Sequence, residues 1–297
     1  MTPKPSILSG PYGTELKNLK TYYDKSDLDD AINITSGWVY KRATGQVLLS
    51  YLNAGATIAT TNTFWLAWIW WSIINNNEQR FRQAFHSHID LTHSLTPSSK
   101  AVFACLRPFG DCYKPEEAPK TRREAKEFHR QQLVPIQENQ DKVTLALFET
   151  FNTWEEALGA ILAAEEIEIP VMVSFVIDKY GKLLSGESLC DVIREIDQVT
   201  WDYQPIWYGV NCCPIDAIIP ASIACNNRLI IAYPNASDHD IQELDNSSHE
   251  RHHGIADAQT NAKRLLWIAE AIPSIKIIGW CCGYTPRDIE AIAKYKK

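Results

Sequence analysis

Three cysteines of this 297-residue chain stand where their thiols could share one metal ion. Cys281 and Cys282 are adjacent in IKIIGWCCGYTP, and Cys212 ends another apolar segment, IWYGVNC, about seventy residues earlier. Three thiolates with a fourth position left open describe a zinc built for chemistry, because structural zinc sites close with four protein ligands. An open zinc binds and activates something. Neighbouring residues of a regular strand point to opposite faces, so a CC pair can serve one ion only from a loop, which Gly283 and Pro286 favour. Cys213 neighbours Cys212 and is an alternative third ligand. Cys105, Cys112, Cys190 and Cys225 read as structural. The first twenty residues carry no apolar secretory core, so the expectation is a reducing cytoplasm with free thiols or metal ligands rather than disulfides.

The elements that must position these thiols recur along the chain. Short β-rich apolar runs appear at Ile7-Leu8, 57–60, 102–106, 145–148, 171–176, 206–210, 229–232 and 275–278. Helix-like segments separate most of them, including Thr121 to Gln132, Trp154 to Ala164, Cys190 to Gln198 and Ala256 to Ala271. Eight βα repeats in one chain of this length predict an α/β fold, a (β/α)8 TIM-type barrel, with residues 1–297 forming a single domain. Nearly every run ends in a polar or thiol group: Ser9-Gly10, Thr61-Asn62, Arg107, Glu149-Thr150, Asp178, Asn211-Cys212, Tyr233-Pro234-Asn235 and Cys281-Cys282. Active sites of such barrels form at the carboxyl ends of the strands, so these groups should converge on one mouth. Glu149 there suits a substrate ammonium, although a salt bridge or a helix N-terminal charge would also explain a carboxylate at that place. Trp65, with Tyr12 and Tyr233 as further candidates, offers an aromatic face for a cation. The polar run Ser237 to His253 is a candidate lid, and His252 and His253 read as part of that solvated loop.

Composition excludes several function classes. Hydrophobic content of 45% and charged content of 22% fit a folded globular chain. A net charge of -7 without a basic stripe argues against nucleic acid. The most apolar run, Phe64 to Trp71, is far shorter than the ~20 residues that a membrane span requires. No GxGxxG or GxxxxGK[ST] loop is present. The partners expected are therefore small molecules rather than nucleic acid or a membrane, with oligomeric state left open.

What those small molecules are, a thiol acceptor and a methyl donor, is implied by a resemblance. The segments GPYGTEL (10–16), ATTNTF (59–64), PFGDCY (108–113), FET (148–150), GKLLSGESL (181–189), YGVNC (208–212), YPNAS (233–237) and GWCCGYTP (279–286) resemble the homocysteine S-methyltransferase family over almost the full chain. The resemblance implies zinc-dependent methyl transfer to homocysteine, giving methionine, with Cys212, Cys281 and Cys282 as zinc ligands. Glu149 and the Ser9-Gly10 turn fall where the family holds the amino-acid part of homocysteine, and Asn62, Trp65 and Asn211 fall at the same mouth. Thr150 stands where betaine-using members carry tyrosine, which implies a sulfonium donor, S-methylmethionine or S-adenosylmethionine. The 297 residues contain no cobalamin or folate domain. Two departures bear on the acceptor. The family's first strand ends in Asp-Gly-Gly, here Ser9-Gly10-Pro11, and Trp280 replaces a glycine of the family's GGCC, which places a bulky ring beside the metal loop. Another thiol or selenol acceptor, or a non-catalytic sensor or structural homologue, is the alternative.

Overall fold

The computed structural model describes residues 4–19, 41–66, 78–203, 207–225, 228–237 and 257–296. Eight parallel strands form one sheet: β1 (Ser6–Ile7), β2 (Ile58–Thr60), β3 (Ala101–Leu106), β4 (Leu145–Phe151), β5 (Val171–Phe175), β6 (Trp207–Asn211), β7 (Leu229–Tyr233) and β8 (Ile277–Ile278). Each pairs with its sequence neighbour from β2 to β8, and β8 returns to β1. A bridge between Leu8 and Ile58 joins β1 to β2, with Ser9 N–H donating to the Ile58 carbonyl at 2.9 Å. The sheet is thus the closed (β/α)8 barrel that the eight repeats predict.

Helices cover the outside of this barrel. They include α1 (Tyr12–Leu19), α2 (Lys41–Ala54), α3 (Glu78–Leu95), α4 (Arg122–Gln137), α5 (Trp154–Glu166), α6 (Leu189–Val199), α7 (Ile218–Ala224), α8 (Ala258–Ala271) and α9 (Pro286–Tyr295). Their starts carry legible signals. Thr121 caps α4 through the Glu124 N–H, with Glu124 reaching back in a capping box. Asp257 caps α8 through the N–H groups of Gln259 and Thr260. The candidate lid beyond Ser237, with His252 and His253, lies outside the described residues, as do Trp68, Trp70 and Trp71.

Alternation along the strands divides the core in two. Leu8, Ile58, Phe103, Leu145, Leu147, Met172, Ile231, Tyr233 and Ile277 pack inside the barrel, while their strand neighbours, such as Ala146 and Phe148, pack outward against the helices. The same period of two assigns the next layer: Cys105 follows Phe103, Glu149 follows Leu147, Ser174 follows Met172, and Cys281 follows Ile277 and Gly279. The inner face of the barrel therefore turns polar and sulfur-bearing toward its carboxyl end.

One expectation is corrected. Cys190 and Cys225 form a disulfide, with Cα atoms 4.7 Å apart; the other six cysteines are free thiols. The expectation of no disulfide rested on compartment, whereas the pairing arises because the start of α6 and the end of α7 meet on the outside of the barrel, 35 residues apart in sequence. Trp280 stands beside the cysteine loop as expected, on the side away from the barrel interior. It alternates with the inward Gly279 and Cys281, so its ring is buried among the outer core residues and stacks on Tyr284 at 4.0 Å.

Candidate metal centre and active site

The sulfurs of Cys212, Cys281 and Cys282 lie within 4.8 Å of one another. Backbone pairing at the exit of β7 brings them together. Pro234–Ala236 runs between the two cysteine segments: Cys281 N–H donates to the Pro234 carbonyl at 2.9 Å, Ala236 N–H to the Cys282 carbonyl at 2.9 Å, and Asn235 N–H to the Cys213 carbonyl at 3.0 Å. The Asn235 amide adds a 3.3 Å bond to the Cys212 carbonyl. Strand alternation alone would send Cys212 outward, because Asn211 precedes it on the inner face. Its left-handed φ of 51° turns the side chain to the mouth. Cys213 packs instead into the outer core, where burial pushes its thiol up to about 12. That resolves which of the two adjacent cysteines joins the cluster.

The cluster fits a tetrahedral metal. Zinc–sulfur bonds of ~2.3 Å at tetrahedral angles require sulfurs about 3.8 Å apart, within reach of the observed spacing by small side-chain rotations. Without a cation these thiols resist ionisation. Cys281 is held well above the usual thiol range by its hydrogen bonds with Cys212 and Cys282 and by burial. For Cys212, the bond from Cys281 lowers the pKa, but Cys282 and burial outweigh it. A bound dication reverses that balance, because it stabilises thiolates directly.

Around the sulfurs, Asn211 bridges two strands' ends. Its Nδ2 reaches Cys281 Sγ at 3.9 Å, and its Oδ1 accepts from the Thr150 N–H at 2.9 Å. Thr150 is itself left-handed, with φ 58°, where the β4–β5 register shifts. Glu149 projects from β4 and accepts a 2.7 Å hydrogen bond from Cys105 Sγ. Burial, the largest cause, raises its pKa to about 7 against the lowering effect of the Cys105 and Tyr233 contacts. The buried Tyr233 hydroxyl stands beside Glu149 and the buried Ser174 Oγ in the same chamber. Glu149 is thus a carboxylate in a tight polar chamber, with no ion-pair partner among the described residues.

Other candidates are already engaged within the protein. Ser9 Oγ lies 2.8 Å from Thr60 Oγ1 and accepts from the Thr60 N–H at 3.0 Å, which ties β1 to β2. Gly10 is required there, because a Cβ would strike the Tyr51 ring. Asn62 is buried with Nδ2 3.4 Å from Thr44 Oγ1. The Tyr12 hydroxyl donates to the Thr60 carbonyl. Trp65 does face a cation, but that cation is the buried Arg107 guanidinium, 5.0 Å above its ring. Cys105, read from sequence as structural, donates to Glu149 at the site, and Ser174 and Tyr113 are further neighbours that sequence reasoning did not assign to it. Alternation on β3 and β5 carried the signal for the first two; Tyr113 ends the PFGDCY segment of the resemblance, but on a loop no periodicity gives its direction.

A parallel βα barrel with a metal-competent thiol cluster at its carboxyl mouth is the architecture of a barrel enzyme. Residues 6–295 match the family model described as homocysteine S-methyltransferase, and the chain belongs to that family of methyltransferases. Similar proteins include homocysteine S-methyltransferase 2 of Saccharomyces cerevisiae, 23% identical over 97% of this chain and 92% of the yeast protein. Homocysteine S-methyltransferase 2 of Arabidopsis thaliana is 25% identical over 57% of this chain and 49% of the plant protein. Among solved structures, the metallated form of the Escherichia coli homocysteine methyltransferase MmuM superposes with a TM-score of 0.77 at 16% identity, covering 99% of this chain and 96% of that one. Its likeness is one of fold.

Proposed function

We propose that this protein transfers a methyl group from a sulfonium donor, S-methylmethionine or S-adenosylmethionine, to the thiol of homocysteine, giving methionine. The observation that carries the proposal is the trio of sulfurs within 4.8 Å at the barrel mouth. Cys212, Cys281 and Cys282 would hold zinc, and Glu149 in its anionic form would receive the acceptor's ammonium group. When bound, zinc supplies a Lewis acid that lets a substrate thiol, with a free pKa of about 8.5, react as thiolate at neutral pH. The leaving group of a sulfonium donor is a neutral thioether, so the chain needs no general acid. Its own contribution is orientation of two sulfurs about one methyl, worth several kcal/mol when the alignment is held. Cys105 steadies Glu149 for that purpose, and Asn211 steadies Cys281. The proposal takes residues 1–297 as one barrel domain acting in the cytoplasm. Among the described residues no helix is long and apolar enough to cross a membrane.

One observation favours a second acceptor. Position 9 supplies a serine bonded to Thr60 in place of the family's aspartate, which leaves Glu149 as the carboxylate for an amine. A thiol or selenol carrying a less demanding head group would fit that change. Zinc content and product formation decide between the readings. The purified chain should carry near one zinc and form methionine from homocysteine with a sulfonium donor, and Cys281→Ala should lose both. Full zinc retention in Cys281→Ala would refute the ligand assignment; zinc without methionine, alongside methylation of another thiol, would move the acceptor.

A further inference from the structure

The Tyr113 hydroxyl lies 2.8 Å from Cys212 Sγ, and methyl transfer as described makes no use of it. Tyr113 belongs to the connection after β3, which is pinned along its length. Arg107 donates from Nε to the Pro108 carbonyl at 3.1 Å and from Nη2 to the Gly110 carbonyl at 2.7 Å. Phe109 N–H donates to Glu156 Oε1 at 2.5 Å, and the same oxygen lies 3.0 Å from Nε2 of the fully buried His129. Asn152 Nδ2 holds the Asp111 carbonyl at 3.2 Å, and Tyr113 N–H donates to Asp111 Oδ1 at 3.0 Å. Gly110 leaves no space for a Cβ against Glu117. A loop anchored at so many points places the phenol; it does not let it swing to the sulfur by chance.

Two roles are open to a phenol beside a metal cysteine, and distance separates them. An oxygen and a sulfur bound to one tetrahedral zinc, at ~2.1 and ~2.3 Å, stand about 3.6 Å apart. The observed 2.8 Å is a hydrogen-bond contact, and once Cys212 is a thiolate only the tyrosine O–H can donate in it. We propose that Tyr113 is a positioning residue of the metal centre: its hydroxyl donates to the Cys212 sulfur, orients it toward Cys281 and Cys282, and withdraws charge from it. With Asn211 at Cys281, two of the three sulfurs carry a donor. Sulfurs that give less charge to a metal leave it a stronger acid toward a substrate thiol. The inference rests on the zinc reading above.

The test uses the full chain, stripped and reloaded with zinc or cobalt. Tyr113→Phe removes only the hydroxyl, and its circular dichroism should match wild type. Its zinc affinity, measured by competition with a chromophoric chelator, should fall roughly 10-fold, and the thiolate-to-cobalt charge-transfer band should move. Unchanged affinity with an unmoved band overturns the inference while leaving the zinc reading intact. A tyrosinate absorption that appears when wild type is loaded with metal, and is missing in Tyr113→Phe, overturns it in favour of direct ligation. Should Tyr113→Phe fail to fold, uniform 3-fluorotyrosine incorporation strengthens the donor without changing the fold; the cobalt band should shift, and a fixed band overturns the inference. A wild-type chain that takes up neither metal overturns both readings together.

Discussion

Glu149 stands at the mouth with its carboxyl pushed up to about 7, first by burial and against the lowering bond from Cys105. At neutral pH it is divided between two protonation states, and only the anion attracts an ammonium. The Michaelis constant for homocysteine should therefore fall as pH rises from about 6 to about 8. Glu149→Gln should abolish that dependence and raise the constant about 10-fold or more at the upper pH, the scale of one charge-assisted hydrogen bond; steady-state kinetics across pH check both, and a wild-type constant in Glu149→Gln would remove it from amine binding. Glu149 was legible in sequence as a polar strand end, and period-two alternation places it inward. Ser9 was legible only as a departure from a motif. That its hydroxyl belongs to Thr60 depends on two strands meeting 51 residues apart.

The strands that present the cysteines depend on a close approach between β6 and β7. Their register shifts between Tyr208 and Gly209, and a Cβ on Gly209 would overlap the Ile231 side chain and come within 2.7 Å of the Ile231 carbonyl oxygen. Only glycine allows β7 to lie so near, and the exit of β7 is the segment that ties Cys212 to Cys281 and Cys282. Gly209→Ala should lower stability by about 1–3 kcal/mol through forced backbone displacement and weaken zinc binding, although residue 209 touches no sulfur. Thermal unfolding and chelator competition measure the two effects, with Gly13→Ala as control, since a Cβ at Gly13 meets nothing within 4 Å. Equal zinc affinity in Gly209→Ala would show that the cysteine loops hold their geometry without the strands.

At the scale of the whole molecule, acid stability is expected to depend on a buried group of an outer helix. His88, on α3, is buried with neither ring nitrogen hydrogen-bonded among the described residues. Burial, aided by the charge of Lys41, lowers its pKa from 6.5 to about 3. The unfolded chain therefore takes up this proton first as pH falls. Stability contributed by the neutral ring is complete above 6.5 and is lost below it, by up to about 1.4 kcal/mol per pH unit until about pH 3. Urea unfolding of wild type and His88→Leu at pH 7, 6 and 5 should show a shallower acid decline in the variant. Parallel declines would assign the acid sensitivity to other groups.

Local chemistry and short periods were readable without coordinates. Alternating apolar residues announce strands, capping residues announce helix starts, and eight repeats imply a barrel whose strand ends share a mouth; the cysteine motifs and the segments around them then pointed to the thiol cluster and the family. Alternation even places Trp280 outside the barrel once Cys281 is taken as inward. What the tertiary structure decided are contacts between residues distant in the chain: the Cys190–Cys225 bridge, the Ser9–Thr60 seam, Arg107 over Trp65, and Tyr113 against Cys212. None has a sequence period, because each depends on how strands, helices and loops stack around the barrel. The choice of Cys212 over Cys213 belongs with them, since it turns on one left-handed backbone angle at a strand end, where alternation stops and neighbouring loops set the direction of the chain.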